Sequence, residues 1–440
     1  MGRFRFITAG ESHGKGMVAI VEGMVADLPV EAEYINRELK RRQQGYGRGP
    51  RMAIEQDRVE IISGVRYGLT MGSPVALFIP NRDWQNWQET MSVPSLEKEA
   101  EPITHPRPGH ADLAGVAKYG LKDIRPVIER ASARETAARV AAGTIARRFL
   151  EELGVVIHSY TLAIGSVEVS LQDNSLHHCH PLPPCHSERS EESGNPQDRL
   201  RKAAYIDWQQ VEASPVRCPS VDMGREMMAA IDKARADGDT LGGVFVLVAS
   251  GVPVGLGSHV SWERRLDGRI AQAIMSINAV KGVAFGSGFV LSKLKGSQAH
   301  DVIEPFASCH SERSEESQSA EGKPREEGAT KQSPYWRHAT NRAGGVEGGI
   351  SNGEDIIVRA AVKPIATLAK PMSSIDLSSG EVAKAHYERS DICIVPAAGV
   401  IGEAMLAMVL ADACLEKFGG DNLKETLVNY HNYISSLPHF

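Results

Sequence analysis

Aromatic residues make up only 6% of this chain, cysteines number 6 in 440 residues, and no apolar run reaches the roughly eighteen residues that a membrane helix needs. Cations do not dominate either: 49 lysines and arginines face 55 aspartates and glutamates, a formal charge of -6. Each shortage removes a class of function. Without a long apolar run no membrane-spanning helix is expected, and the N-terminus lacks the core of a secretory signal. Met1-Gly2 opens like a myristoylation site, but Phe6 stands where Ser or Thr is required. Scattered cysteines without a signal point to reduced thiols in the cytoplasm. A net acidic chain has no global pull toward nucleic acid or anionic membrane, so its arginines count only where they cluster. What remains, with 42% hydrophobic and 24% charged residues, is the composition of an ordinary globular protein with a substantial core.

The most informative stretch runs from 104 to 150. Thr104-His105-Pro106-Arg107-Pro108-Gly109-His110-Ala111-Asp112 is followed by Ile124-Arg125-Pro126-Val127-Ile128-Glu129-Arg130 and then by a long apolar helix carrying Ala137, Ala138, Val140, Ala141, Ala142, Ile145, Phe149 and Leu150. Ser132 and Glu135 fit a capping box at its start. Arg130 and Arg134 at that N-terminus, beside Arg107 and His110, describe an anion site of backbone N–H groups and guanidinium forks, the floor of an active site. A capped surface helix with solvated arginines is the alternative from this stretch alone.

Two other loops carry chemistry. Thr8-Ala9-Gly10-Glu11-Ser12-His13-Gly14-Lys15-Gly16 follows a strand read at Arg3–Phe6, but its glycine spacing and the lack of a hydroxyl after Lys15 exclude a phosphate-binding P-loop. A glycine-flanked His13 with Ser12 beside it is left. Lys40-Arg41-Arg42-Gln43-Gln44-Gly45-Tyr46-Gly47-Arg48-Gly49-Pro50-Arg51 gathers cations without an acid, which favours a bound anion over a bare face. An RGG-like clamp on single-stranded nucleic acid competes with that reading, although the patch is short and has one aromatic.

Strands are predicted at 59–64, 74–80, 155–164, 244–248 and 356–362, and helices near 220–237, at 269–277 and after Pro396, where Ile401, Met405, Met408 and Val409 mark core packing. Ala343 to Gly353 is a glycine-rich loop that brings bare N–H groups toward a ligand. Cys185-His186-Ser187-Glu188-Arg189-Ser190-Glu191-Glu192-Ser193 recurs identically as 309–317. No period joins the copies, so 174–202 and 306–333 read as hydrophilic insertions in loops of a single domain spanning 1–440. The His177, His178, Cys179, His180, Cys185 and His186 cluster has no standard zinc spacing, and no metal site is expected.

In combination, Gly10–Gly14, Gly47–Arg51, Arg107–Asp112, Arg130–Ala137, Ser276–Gly282, Gly344–Gly353 and Arg389-Ser390-Asp391 closely resemble the chorismate synthase family, over nearly the whole chain outside the two insertions. The resemblance implies an α+β fold of β-α-β sandwich type and a homotetramer. It implies conversion of 5-enolpyruvylshikimate 3-phosphate to chorismate with reduced FMN and no net redox change, with no nucleic acid or membrane partner. Catalytic roles fall by resemblance on His13 with Ser12 at the phosphate, on His110 beside the flavin, and on Asp391, assisting proton removal through the cofactor. Flavin contacts fall on Arg130, Ala131, Ser132, Asn278, Ala279, Gly349, Lys363, Pro364, Ile365, Ala366, Thr367 and Arg389, and Arg42 and Arg48 match positions assigned to NADPH. Arg48, Arg51, Arg107 and Arg134 suit the phosphate and two carboxylates of the substrate. Such arginines would repel one another in an empty pocket, a strain that a polyanion relieves. A single-strand binder, or a phosphatase using His13 as nucleophile, are the readings from other classes; the first would be indifferent to flavin, the second would release phosphate without it.

Overall fold

The computed structural model describes residues 3–49, 55–97, 100–169, 206–305, 336–388 and 390–437. Arg51, Arg389 and the two expected insertions lie outside the described residues. Two antiparallel sheets form the outer layers. The first holds β1 (Arg5–Ala9), β2 (Gly16–Glu22), β3 (Glu60–Ser63) and β4 (Val75–Pro80) in the order β1-β2-β4-β3. The second holds β5 (Val156–Ile164), β6 (Val167–Glu168), β7 (Gly243–Ser250), β8 (Val280–Phe285) and β9 (Ile356–Val362) in the order β8-β9-β7-β5-β6. The strand read at Arg3–Phe6 begins later and runs further, through Thr8 and Ala9, because pairing continues to Ala9 opposite Val18.

Helices fill the space between. They include α1 (Ala32–Gln43), α2 (Arg125–Ala131), α3 (Thr136–Glu152), α4 (Leu266–Met275) and α5 (Val395–Phe418). Helix α3 lies on β1, β2 and β4, α5 lies on β5 and β7, and the two pack on each other. An element sandwiched in this way must be apolar all round, and α5 buries Ile401, Met405 and Met408 together with Ala397, Val400, Leu406, Leu410 and Cys414. By length and composition α5 could cross a membrane, but 89% of its most apolar window is buried inside the protein. Small residues let the helices meet: a Cβ on Gly143 would lie 2.6 Å from the Ala404 Cβ and carbonyl oxygen, and one on Gly402 would crowd Phe245 and Leu247.

One buried carboxylate interrupts that core. Glu403 of α5 faces Arg41 at 2.8 Å, Arg147 at 2.7 Å, Arg217 at 3.2 Å and the Ser159 hydroxyl at 2.6 Å. Burial alone would raise its pKa, and the three guanidiniums reverse this and hold it well below the carboxylate range. The network grips the C-terminal turn of α1, from which Arg42 and the Gly45–Gly49 loop continue into the site.

The capping box differs from expectation. Ser132 caps, but its hydroxyl accepts from Arg134 N at 3.2 Å across a 3-10 turn, Ala133–Glu135, and the α-helix starts at Thr136. Glu135 does not reach back; its carboxylate takes the Thr8 hydroxyl at 2.7 Å and Arg139 at 2.7 Å. A carboxylate offered a charged donor and a neighbouring strand's hydroxyl gains more there than from one main-chain N–H.

Candidate active site

The His13 loop leaves β1 and returns into β2, and Asn81 at the end of β4 sets its shape. Asn81 Nδ2 donates to the carbonyls of Glu11 at 3.1 Å, Ser12 at 3.1 Å and Gly14 at 2.8 Å, while its Oδ1 accepts from Arg134 Nε at 2.8 Å. One buried amide therefore couples the histidine loop to the start of α3. Ser12 Oγ lies 3.0 Å from Ser132 Oγ. His13 stacks on Trp87 with ring centroids 3.8 Å apart, and its Nδ1 is 2.8 Å from Glu129 Oε1. Glu129 Oε2 also accepts the His13 main-chain N–H at 2.7 Å.

Glu129 sits one turn along α2 from Arg125, which reaches it at 3.2 Å, lies over the Trp87 ring and bonds Glu388 at 2.8 Å. Burial works against the Glu129 charge, but hydrogen bonds and charge from His13, with Arg125 behind them, hold its pKa below the ordinary value. Glu388 falls to about 2 in the same way: burial is outweighed by His386, Arg125 and Arg107.

His110 and Arg107 share a carboxylate. Asp112 takes Arg107 Nε at 2.8 Å, Arg107 Nη2 at 3.0 Å and the Arg107 main-chain N–H at 3.0 Å, and its Oδ1 is 2.5 Å from His110 Nδ1. Burial would raise the Asp112 pKa, and His110 and Arg107 drive it well below the carboxylate range. Arg107 Nη1 donates to the Thr367 hydroxyl at 3.2 Å, and Ser390 Oγ donates to the Thr367 carbonyl at 2.9 Å. Next to Ser390, Asp391 accepts the Gly49 N–H at 2.6 Å and Arg48 Nη1 at 2.9 Å. A Cβ on Gly49 would stand 2.9 Å from the Ser390 carbonyl oxygen, so this approach needs the glycine.

The last arc is buried. Arg42 Nη2 meets Asp57 Oδ2 at 2.8 Å and its Nη1 meets the Thr136 hydroxyl at 3.2 Å. Asp57 also bonds Arg134, whose Nη2 lies 3.8 Å from Glu55 and makes no hydrogen bond among the described residues. Burial pushes the Asp57 pKa up, but the two guanidiniums win and lower it. Burial and the charges of Arg134 and Arg48 lower that of Arg42 against the pull of Asp57. From Arg134 the path returns through Asn81 to His13. Two strings of contacts result: one joins Ser12 and His13 through Asn81 to Arg134, Asp57 and Arg42, the other joins His110 through Asp112, Arg107, Thr367 and Ser390 to Asp391 and Arg48, and each feels the other's charge, Glu388 that of Arg107 and Arg42 that of Arg48.

Several of the residues expected at the flavin meet one another or the loops just described. Asn278 Nδ2 donates to the Ala131 carbonyl at 2.9 Å, and Ala279, with φ of 69°, accepts the Lys363 N–H at 2.9 Å. Lys363 Nζ bonds the Gly109 carbonyl, and Gly109 faces Ala366. Arg130 turns to the Thr8 carbonyl at 3.0 Å and hydroxyl at 2.8 Å. The Ile365 carbonyl accepts from Thr240, and Pro364 lies against Gly242. The Gly349 carbonyl accepts the Leu266 N–H at 2.9 Å, at the first residue of α4.

The expected mutual repulsion of the arginines is corrected here. Arg42, Arg48, Arg107 and Arg134 each face a buried or half-buried carboxylate, so the cluster is neutralised without any ligand. Arg41 likewise turns inward, to Glu38, Glu212 and Glu403. The sequence had shown the cations and missed their partners Asp57, Glu129, Asn81 and Glu388. Only Glu129, at the i+4 position from Arg125, and Asp112, two residues after His110, carried a local signal.

A family model described as chorismate synthase matches residues 4–415. The chorismate synthase of Desulforudis audaxviator (strain MP104C) is 52% identical over 434 residues, covering 98% of this chain and 98% of its own. That of Aquifex aeolicus (strain VF5) is 48% identical over 438 residues, covering 99% and 98%. A crystal structure of chorismate synthase aligns with a TM-score of 0.70 at 40% identity, covering 99% of this chain and 98% of that one.

Proposed function

Because the chain belongs to the chorismate synthase family of carbon-oxygen lyases, we propose that it carries out the 1,4-anti elimination of phosphate from 5-enolpyruvylshikimate 3-phosphate, giving chorismate with reduced FMN and no net redox change. The contacts that tie His13 to Arg134 through Asn81, and His110 to Arg107, Asp391 and Arg48 through Asp112, Thr367 and Ser390, carry this reading, because the reaction needs a leaving-group acid, a proton acceptor and anion donors in one place. The sheet–helix–sheet layering is the β-α-β sandwich expected of the family, with 174–202 and 306–333 as insertions. The apolar outer face of the first sheet, where the cross-strand neighbours Ile7 and Ile20 are 70% and 42% exposed, supports assembly as a homotetramer. We place the enzyme in the cytoplasm, without membrane or nucleic-acid partners.

The residues fit the flavin. Lys281 and Lys363 lie at neighbouring strand ends, and Lys363 Nζ bonds the Gly109 carbonyl rather than a carboxylate. Burial and the charge of Lys281 lower the Lys363 pKa, so this cation lacks an anion that the FMN phosphate would supply. Arg130, Ala131, Ser132, Asn278, Ala279 and the 363–367 segment would hold the group, joined by Gly349 and Arg389. Held there, reduced FMN would supply electron density to the electron-deficient transition state, and NADPH at Arg42 and Arg48 would serve as its reductant.

The chain's own groups handle the proton and the phosphate. His13 protonates the departing phosphate, with Ser12 hydrogen-bonding it, and Arg134 Nη2 meets the same charge. Arg48, Arg51 and Arg107 orient the carboxylates, while Asp391, fixed by the Gly49 N–H and by Arg48, serves removal of the C6 proton. His110, fixed on Asp112, acts on the flavin side. Anaerobic assay with 5-enolpyruvylshikimate 3-phosphate tests the proposal: phosphate and chorismate should appear with reduced FMN and not with oxidised FMN. Phosphate release without flavin, or with a hydroxyl in place of the new double bond, would refute it.

A further inference from the structure

The structure assigns Glu129 as the positioning residue of His13, fixing the proton on Nδ1 so that exchange with the leaving group falls to Nε2; this rests on the leaving-group role proposed above for His13. The argument is one of donors and acceptors. Ionised Glu129 has only acceptor oxygens, so the 2.8 Å approach of Oε1 to Nδ1 is a hydrogen bond only when Nδ1 carries the proton. The second oxygen is committed to the His13 main-chain N–H at 2.7 Å, which fixes the carboxylate plane, and the Ser12 N–H donates to the Glu129 carbonyl at 3.1 Å. Glu129 is 1% exposed, so this grip is undiluted by solvent.

Neighbouring groups tune the pair without displacing it. Arg125 touches Glu129 and leads to Glu388, which meets His386 at 3.3 Å, while Asp83 holds the Trp87 indole N–H at 2.9 Å beneath the imidazole stack. With Nδ1–H donated to Glu129, the proton that passes to the phosphate oxygen as the carbon–oxygen bond breaks comes from Nε2, leaving neutral His13 with its proton still on Nδ1. His110 on Asp112 repeats the arrangement, but there Arg107 shares the same oxygens, so Glu129 gives the cleaner experiment.

Glu129→Gln is nearly isosteric. Its amide oxygen keeps the His13 main-chain N–H, while the NH2 faces Nδ1 and reverses donor and acceptor there. Turnover should fall on the order of 10²- to 10⁴-fold, the range for misplaced general acid-base groups. KM should change little and Glu129→Asp should restore part of the rate; a purely structural role would move KM together with turnover. Nitrogen-15 NMR of the His13 ring, assigned by comparison with His13→Gln, reads the proton's position in the resting protein whether or not chorismate is made. A proton on Nδ1 in the parent and on Nε2 in Glu129→Gln is the expected result. A neutral ring with its proton on Nε2 in the parent overturns the assignment, as does a Glu129→Gln enzyme within about threefold of parental turnover. Failure of the parent to need reduced FMN would overturn the reaction while leaving the NMR result standing.

Discussion

Replacing Asp57 by asparagine tests whether carboxylates, rather than a bound polyanion, keep the arginine cluster together. Asp57 accepts from Arg42 at 2.8 Å and from Arg134, and its side chain is completely shielded from solvent. Exposed ion pairs contribute about 0–1 kcal/mol, but removing one member of a buried pair costs about 3–5 kcal/mol, because the partner charge stays buried and uncompensated. Here the charges of Arg134 and Arg48 already oppose that of Arg42, so the upper half of that range is expected. The asparagine keeps the size of the side chain, which separates the charge effect from a cavity. Urea titration in a buffer free of multivalent anions should show a loss of about 4–5 kcal/mol, and added inorganic phosphate should return part of it by pairing with the released guanidiniums. A loss below about 1 kcal/mol, or indifference to phosphate, would show that the arginines do not depend on Asp57.

Three further outcomes follow from the same geometry. Residues on either side of the second proposed insertion face each other, since Pro305 pairs with Trp336 across an antiparallel ladder. Replacing 306–335 by a short turn should leave turnover within about twofold, as loop length weighs little; a folded but inactive deletion would tie the segment to the site. Glu388 and Glu212 are each held at about 2 against an ordinary 4.5, where salt bridges and hydrogen bonds to Arg125 and His386, or to Arg41 and Arg217, outweigh burial. A depressed carboxylate stabilises above its unfolded pKa, so their contribution is complete above about pH 4.5 and is lost as pH falls toward 2. Urea midpoints measured between pH 7 and 2 should stay level and then drop in that window; a drop already between pH 7 and 6 would point to other groups. Gly143→Val should destabilise by about 1–3 kcal/mol, since its Cβ would meet Ala404 at 2.6 Å, and an unchanged thermal midpoint would contradict the close helix contact.

Local pattern and tertiary choice contributed differently to what the sequence disclosed. The helix at Val221–Asp237, the strand pairing around Val244–Val248 and the buried α5 follow from periodicity and turn residues, which neighbours in sequence determine. His13, Arg48, Arg134 and Asp391 were visible as residues of the right chemistry, but periodicity does not tell what faces an arginine. Asp57 and Arg134 are 77 positions apart, and Arg125 and Glu388 are 263 apart. Asn81 carries no charge or motif at all, although its amide organises the His13 loop. The capping box failed for a related reason: Thr8 and Arg139 compete for Glu135, and only the fold brings Thr8 there.

The central claim is that the two imidazoles serve one elimination in one site. Anaerobic single-substrate turnover of His13→Ala, His110→Ala and the double variant, each shown to be folded and flavin-loaded, tests it most directly. Each single replacement should lower turnover by about 10²- to 10⁴-fold, and the double variant should fall by clearly less than the product of the two, as groups acting on one transition state do. Full activity in either single variant, or losses that simply multiply, would contradict it.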